Sequence, residues 1–262
     1  MPNLTVSLAE RSYAIHIESG FLSQRSPIHT LSKKALLIVT DSHIAPLYFD
    51  LLKAHIQCPD CPVWIMPAGE QEKNLVRFSE LIHFLAENKF TRDSCILALG
   101  GGVVGDMAGF AASTYMRGIA WVGVPTTLLS MVDASLGGKT GFDLPEGKNL
   151  IGAFYPPKLV LADPQLLGTL PEAELISGMA EVVKHGIISD PDLFAMCNRG
   201  LDWVKGNLEE VVKRAAAVKI KVIEEDPYEK GIRAALNLGH TVGHAVELVS
   251  KFELRHGEAI AI

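Results

Sequence analysis

Cys95-Ile-Leu-Ala-Leu-Gly100-Gly-Gly-Val-Val-Gly105-Asp106 is the stretch that decides the fold. Its first five residues form an aliphatic run without polar alternation, as a strand buried on both faces requires. The glycines behind it fall as Gly100-x-Gly102-x-x-Gly105, directly after that strand and at the start of a helical segment. Glycine lets the backbone approach a pyrophosphate closely, and a helix N-terminus adds unpaired N–H groups and a favourable dipole. Taken alone, the same glycines would equally suit a plain tight turn. The placement also departs from the standard dinucleotide unit, in which the turn follows the first strand and an acid lies about 20 residues later. Here the turn follows a middle strand, and the better acid, Asp41, lies upstream. These features predict a nucleotide fold other than the standard one.

Working outward, further β-branched or aliphatic runs occur at 34–40, 63–66, 119–124 and 159–161, most of them bounded by Gly, Pro or Asp. Between them, 72–88 carries Leu75, Phe78, Leu81, Ile82 and Leu85 at helical spacing. This is a βαβ pattern. Residues 3–19 alternate weakly and predict an N-terminal hairpin. From about Asp163 the strand signals stop, and 171–188, 208–225 and 234–251 read as helices. The expected organisation is a Rossmann-like α/β domain over 1–165, with its glycine turn in an atypical place, and an all-α domain over 166–262. The final residues after His256-Gly-Glu258 carry no helix stop signal, which suggests a truncated chain.

A hydrophobic content of 48% is enough to build a substantial core. The net charge of -6 and pI near 5.8 exclude a binder of nucleic-acid backbones, which needs many clustered cations. No leader-like segment opens the chain, and the longest uncharged stretch, 118–132, is too short for a membrane span. The expectation is a soluble cytoplasmic protein. The 4 cysteines do not make a disulfide framework, and Cys58-Pro-Asp-Cys61 lacks the second pair that a zinc site would need.

Asn237-Leu-Gly-His240-Thr-Val-Gly-His244 places two imidazoles four residues apart, on one helical face. His256 follows, and Glu181 precedes them in Glu181-Val-Val-Lys184-His185. Two or three imidazoles with one carboxylate suit a catalytic divalent metal. Asp133, Lys139, Lys148, Asn149, Lys219, Glu229 and Arg233 punctuate glycine turns and helix approaches. The lysines and the arginine among them suit phosphate and carboxylate groups, although solvated surface would account for them equally.

Taken together, seven motifs resemble the 3-dehydroquinate synthase family. They are Gly-Gly-Gly-Val-Val-Gly-Asp106, Tyr115-Met-Arg117-Gly, Val124-Pro-Thr126-Thr127, Asp133-Ala-Ser-Leu-Gly-Gly-Lys139, Gly147-Lys148-Asn149, Glu181-Val-Val-Lys184 and Asn237-Leu-Gly-His240-x3-His244. The resemblance implies that Asp41, Glu70, Lys73, Gly101, Gly102, Val103, Asp106, Thr126, Thr127, Lys139 and Lys148 hold NAD, with Thr169 and Leu170 closing over it. It implies Glu181, His240 and His256 as ligands of Zn2+ or Co2+, and so turns His244 from a metal ligand into a substrate contact. Asp133, Lys139, Asn149, Lys184, Lys219, Arg233, Asn237 and His244 match substrate-contacting positions. Arg117 matches an arginine that reaches into a neighbouring subunit, which implies a homodimer. The family continues past the position of Ile262 with more helices and another substrate lysine.

The implied reaction turns 3-deoxy-arabino-heptulosonate 7-phosphate into 3-dehydroquinate through transient oxidation at C5, phosphate elimination, re-reduction and aldol closure. Two rival enzymes share these features, a metal-dependent polyol or alcohol dehydrogenase and another sugar-phosphate cyclase. The set Lys139, Asn149, Lys219 and Arg233 speaks against the first, and Arg233, suited to a substrate carboxylate, against the second. A non-catalytic nucleotide-binding module is a third reading, opposed by the retained metal ligands and Lys184.

Overall fold

A computed structural model of the chain describes residues 4–8, 12–23, 35–250 and 254–262, without the side chains of His244 and Leu248. Residues 3 and 9–11 of the expected hairpin, Lys34 and Lys251 lie outside the described residues. Strands β1 (Leu4–Val6) and β2 (Tyr13–Ile17) form that antiparallel hairpin. The aliphatic runs become β3 (Leu36–Asp41), β4 (Val63–Met66), β5 (Cys95–Gly100) and β6 (Ala120–Pro125). The stretch 139–154 folds as a separate antiparallel pair, β7 (Lys139–Leu144) and β8 (Gly147–Phe154), and β9 (Leu159–Ala162) returns to the main sheet. That sheet has seven strands in the order β1-β2-β9-β6-β5-β3-β4, and only β1 runs antiparallel to its neighbour.

The lack of alternation in these strands follows from burial on both faces. Leu36 and Ile38 point into one core, Leu37 and Val39 into the other. Helix α1 (Ala45–Ile56) covers the first face through Tyr48, Leu52 and Ile56. Helices α2 (Leu75–Glu87) and α3 (Gly102–Thr114) cover the second through Leu81, Leu85, Met107 and Ala111. Helix α2 starts later than its apolar pattern suggests because the Asn74 side chain accepts the Arg77 N–H at 3.1 Å and caps it there.

The chain passes from β3 to β4 on one side and then returns beyond β3 to β5 on the other. Strand order therefore reverses between β3 and β5, and open α/β sheets bind ligands in the crevice at such a reversal. This explains a glycine turn behind a middle strand: β5 ends at Gly100 beside Asp41 of β3, with Leu99 paired to Thr40.

Every described element after β9 is helical: a 3-10 turn (Pro164–Thr169), then α4 (Glu172–Ser189), α5 (Pro191–Cys197), α6 (Leu201–Lys205), α7 (Leu208–Glu225), α8 (His240–Val249) and α9 (His256–Ile260). Val182 of α4 and Val211, Val212, Ala215 and Ile223 of α7 join the same core as α1 and the first sheet face. The expected single helix over 234–251 is corrected. A 3-10 turn, Ile232–Asn237, comes first, and Gly239 at φ 81° separates it from α8, a conformation that costs glycine little. The hairpin over 139–154 carries no strand signal in the sequence, since Gly141 faces Gly152 across it and removes the side-chain alternation that would have announced a strand.

Cys58 and Cys61 correct the cysteine reading, because they are joined as a disulfide across a turn with their Cα atoms 5.3 Å apart. Gln57, left-handed at the end of α1, turns the chain so that the two thiols meet. Among the described residues, no helix is long and apolar enough to cross a membrane.

Candidate active site

Three helices bring Glu181, His240 and His256 together, with one ligand atom of each lying within 4.8 Å of the others. Glu181 sits on the buried side of α4 with 0% exposure. Its Oε1 faces His240 Nε2 at 3.6 Å and His256 Nε2 at 3.5 Å. The two imidazole rings meet edge to face with centroids 5.1 Å apart. Nδ1 of His240 lies 3.2 Å from the Leu238 carbonyl, which only accepts, so the proton sits on Nδ1 and the Nε2 lone pair points at the cluster. A buried carboxylate oxygen facing two imidazole nitrogens, with no conventional hydrogen bond of its own among the described residues, suits a divalent cation. Among the described residues, the imidazole beside His240 is that of His256, from α9. The side chain of His244 lies outside the described residues.

Beside this cluster lies a second, more polar set. Lys184, one turn beyond Glu181, pairs with its carboxylate. Lys219 of α7 pairs with the carboxylate of Asp133 and donates to the Asp133 carbonyl at 2.8 Å. Asp133 lies in a π-helical turn, Ser130–Ala134, packed against α4 and α7. Burial opposes its charge, but Lys219, Lys184 and His185 outweigh burial and hold its carboxyl well below the usual range. His185 is fully buried with neither ring nitrogen hydrogen-bonded among the described residues, and burial pulls it down to about 4. Asp133, Glu181 and His185 also approach within 4.8 Å, yet the two ammonium groups beside them oppose a cation there.

Arg233, 2% exposed, lies in the 3-10 turn before α8 and donates to the Pro227 carbonyl at 2.5 Å. Lys139 at the start of β7 pairs with Glu229, which also accepts from Asn237 at 2.7 Å. Glu229 thus gathers two of the expected substrate residues, a role that its sequence position alone did not announce. Lys139, Gly138, Ala134 and Asp106 line one cleft with Gly100–Gly102 and Gly105. The glycine turn and the Lys139 loop therefore face each other.

On the nucleotide side, Asp41 accepts the N–H groups of His43 and Ile44 at 2.8 and 3.0 Å through a single oxygen, Oδ1. Gly101 and Gly102 open α3, followed by Val103 and Asp106. Thr126 donates its N–H to the Gly100 carbonyl at 3.0 Å, while its buried hydroxyl has no partner among the described residues and remains a group for a ligand. Thr127 accepts from Ser130 N–H at 3.1 Å. Lys73, buried, reaches Asp106 at 2.6 Å and donates to Asn149 Oδ1 at 2.6 Å. Asn149 thus lies against Lys73, one of the residues expected to hold the nucleotide, although it was expected among the substrate contacts. Lys148 lies 3.5 Å from Glu70. Thr169 shares a hydrogen bond with Tyr48 at 2.5 Å just before Leu170. Arg117 is set apart, exposed, at φ 66° in a turn pinned by Tyr115.

Burial pushes Asp106 up to about 6 against the pull of Lys73. The folded value exceeds the unfolded one of about 4. The folded state therefore holds an extra proton between these values, and stability falls as pH rises through that window. With 21% of the side chain exposed, solvent moderates the effect. Asp106→Asn is expected to flatten the pH dependence of the urea midpoint between about pH 4 and 6. A slope equal to that of the parent protein would show that Asp106 is not its source.

Known proteins share this sequence and fold. The 3-dehydroquinate synthase N-terminal family pattern matches residues 63–177, and the 3-dehydroquinate synthase C-terminal pattern matches residues 178–262. A 3-dehydroquinate synthase of Shewanella denitrificans is 43% identical over 267 residues, covering 100% of this chain and 75% of that protein. A solved 2-deoxy-scyllo-inosose synthase, complexed with carbaglucose-6-phosphate, NAD+ and Co2+, superposes with a TM-score of 0.87 at 31% identity, over 98% of this chain and 72% of the other. The 2-epi-5-epi-valiolone synthase of Streptomyces hygroscopicus subsp. jinggangensis, with NAD+ and Zn2+ bound, gives 0.84 at 31% identity over 97% and 73%. Both halves of the chain are matched in order, and the buried cluster draws Asp133 from the first and Glu181 from the second; the chain belongs to the 3-dehydroquinate synthase family.

Proposed function

We propose that the chain converts 3-deoxy-arabino-heptulosonate 7-phosphate to 3-dehydroquinate and phosphate, as a carbon–oxygen lyase dependent on NAD and a divalent metal. The observation that carries this reading is the convergence of Glu181, His240 and His256 with the buried cations Lys184, Lys219 and Arg233. A simple alcohol dehydrogenase has no use for those cations. When bound, NAD would supply a temporary hydride acceptor and the metal a Lewis acid at a substrate oxygen.

Glu181, His240 and His256 would hold the metal, Zn2+ or Co2+. Asp41, Glu70, Lys73, Asp106, Thr126, Thr127 and Lys148 would hold the nucleotide around the glycine turn, with Thr169 and Leu170 at its edge. Lys219 and Arg233, desolvated and fixed by Asp133 and the Pro227 carbonyl, would bind the substrate carboxylate. Lys139 and His244 would bind the phosphate, with Asn149 between phosphate and nucleotide. Lys184 would order substrate hydroxyls, and Asn237 would fix the Lys139–Glu229 pair. Holding one conformer of the opened intermediate is then enough to favour ring closure. We place the division between nucleotide and helical domains near 165/166, the protein in the cytoplasm, and Arg117 at the contact of a homodimer.

The test is phosphate release from the heptulosonate phosphate, with NAD and Zn2+ each present or omitted. The expected result is release that needs both, without accumulation of NADH. Net NADH production on glycerol or another simple alcohol would instead establish the dehydrogenase reading.

A further inference from the structure

Glu247 is a carboxylate that none of the assignments above employs. It lies on α8 with 3% exposure, although burying a carboxylate is costly unless charged or donor groups surround it. Two such groups face its Oε1: Nζ of Lys148 at 3.5 Å and Nδ1 of His256 at 3.6 Å. One oxygen therefore lies between a residue of the nucleotide-side hairpin and a residue of the candidate metal cluster. The position follows from helical spacing. Glu247 is seven residues after His240, two turns along the same face of α8, so both side chains look toward α9.

The two ends of the His256 ring face different carboxylates. Nε2 looks at Glu181 Oε1 at 3.5 Å, and Nδ1 looks at Glu247. A neutral imidazole carries one proton, and a nitrogen that binds a metal must be without it. With the Glu247 carboxylate facing Nδ1, its negative charge favours the proton on that nitrogen and leaves the Nε2 lone pair for the cluster. A carboxylate behind a metal-binding histidine fixes the tautomer and ring orientation in this way, and its removal commonly weakens metal binding by about 10–100-fold.

On its other side Glu247 meets a chain of polar contacts that leads to the glycine turn. Lys148 is followed by Asn149, which accepts from Lys73 at 2.6 Å, and Lys73 pairs with Asp106 of α3 at 2.6 Å. Lys148 also approaches Glu70 at 3.5 Å. Anything that settles Lys148 and the hairpin acts on the carboxylate that orients His256.

Resting on the metal and nucleotide assignments proposed above, we infer that Glu247 is a positioning residue that orients His256 for the metal and links metal binding to nucleotide binding through Lys148. Such a link is reciprocal: if NAD+ tightens the metal, the metal tightens NAD+ by the same factor.

The experiment measures Co2+ affinity by chelator competition, with and without saturating NAD+, in the parent protein and in two variants. In the parent protein NAD+ is expected to tighten Co2+ by about fivefold or more. Glu247→Ala removes both contacts, so Co2+ affinity is expected to fall about 10–100-fold and to lose its response to NAD+. Glu247→Gln keeps an acceptor for Nδ1–H and loses the charge that faces Lys148. Its Co2+ affinity without NAD+ should fall by less than about tenfold while the NAD+ response disappears. A merely structural role would not separate the two quantities. Should Glu247→Ala fail to fold, the near-isosteric glutamine variant decides the question, because an unchanged NAD+ response there overturns the link. Parent protein that binds both Co2+ and NAD+, with variants that behave as it does, overturns this inference alone. Parent protein that binds neither overturns the functional reading and the link with it.

Discussion

His240→Ala is expected to lose metal and turnover together. His240 is the first residue of α8, and its ring orientation is fixed by the Leu238 carbonyl at 3.2 Å, presented by the turn through Gly239. Alanine would leave Glu181 and His256 as the remaining partners of a site that needs three protein ligands and an open position. It would also leave the buried Glu181 carboxylate with Lys184 as its main counter-charge, so the pair would satisfy itself rather than hold a cation. Turnover should drop by about 10³-fold or more, roughly 4 kcal/mol in the barrier. Elemental analysis of the dialysed protein and the phosphate-release assay read the two losses separately. Full activity in a metal-depleted variant would remove His240 from the site.

Gly257→Ala tests how the site is held rather than what it holds. Gly257 lies in the first turn of α9, immediately after His256, and its N–H donates to Ser177 Oγ at 2.9 Å. A Cβ at this position would meet the Ser177 carbonyl oxygen at 1.9 Å, a backbone atom of α4 that has little room to move. The added methyl therefore pushes α9 away from α4, and His256 moves off Glu181 with it. The cost should be about 3 kcal/mol, at the upper end for overpacking, with a fall in Tm of roughly 5–10 °C. Co2+ affinity should decline in the same variant. A parent-like melting curve would mean that α9 docks differently.

Much of the fold was legible because parallel strands and amphipathic helices leave strong marks. The runs ending at Thr40, Met66, Leu99, Val124 and Leu161 all became strands, and the segment around Leu75 to Leu85 became α2. The order of those strands was not legible. That Asp41 lies beside the glycine turn depends on the crossover between β3 and β5, which no local pattern encodes. The hairpin β7/β8 escaped because facing glycines erased its alternation, and the helix over 234–251 was drawn from too early a start because Gly239 interrupts it just before His240. The disulfide was missed because its geometry comes from the left-handed Gln57 rather than from cysteine count.

In the candidate site, spacing pointed to a metal and to His240, but the imidazole seen beside His240 is that of His256. His256 comes from another helix, and its approach to Glu181 is a tertiary fact. The motif resemblance supplied that pairing in advance. Neither route pointed to Glu247 or His185, since a buried carboxylate and a buried imidazole inside helices look like any other residue until their surroundings are known.

The hydrophobic cluster that joins α1, the first sheet face, α4 and α7 has a bearing on how the molecule comes apart. Among the described residues this cluster is shared by sheet and helices, so on that face neither half is covered by itself, although Leu37, Val39, α2 and α3 form a second core within the sheet half. Loss of either exposes the other. The chain should therefore melt as one cooperative unit, and the candidate site, whose parts come from both halves, should vanish at the same temperature as the sheet.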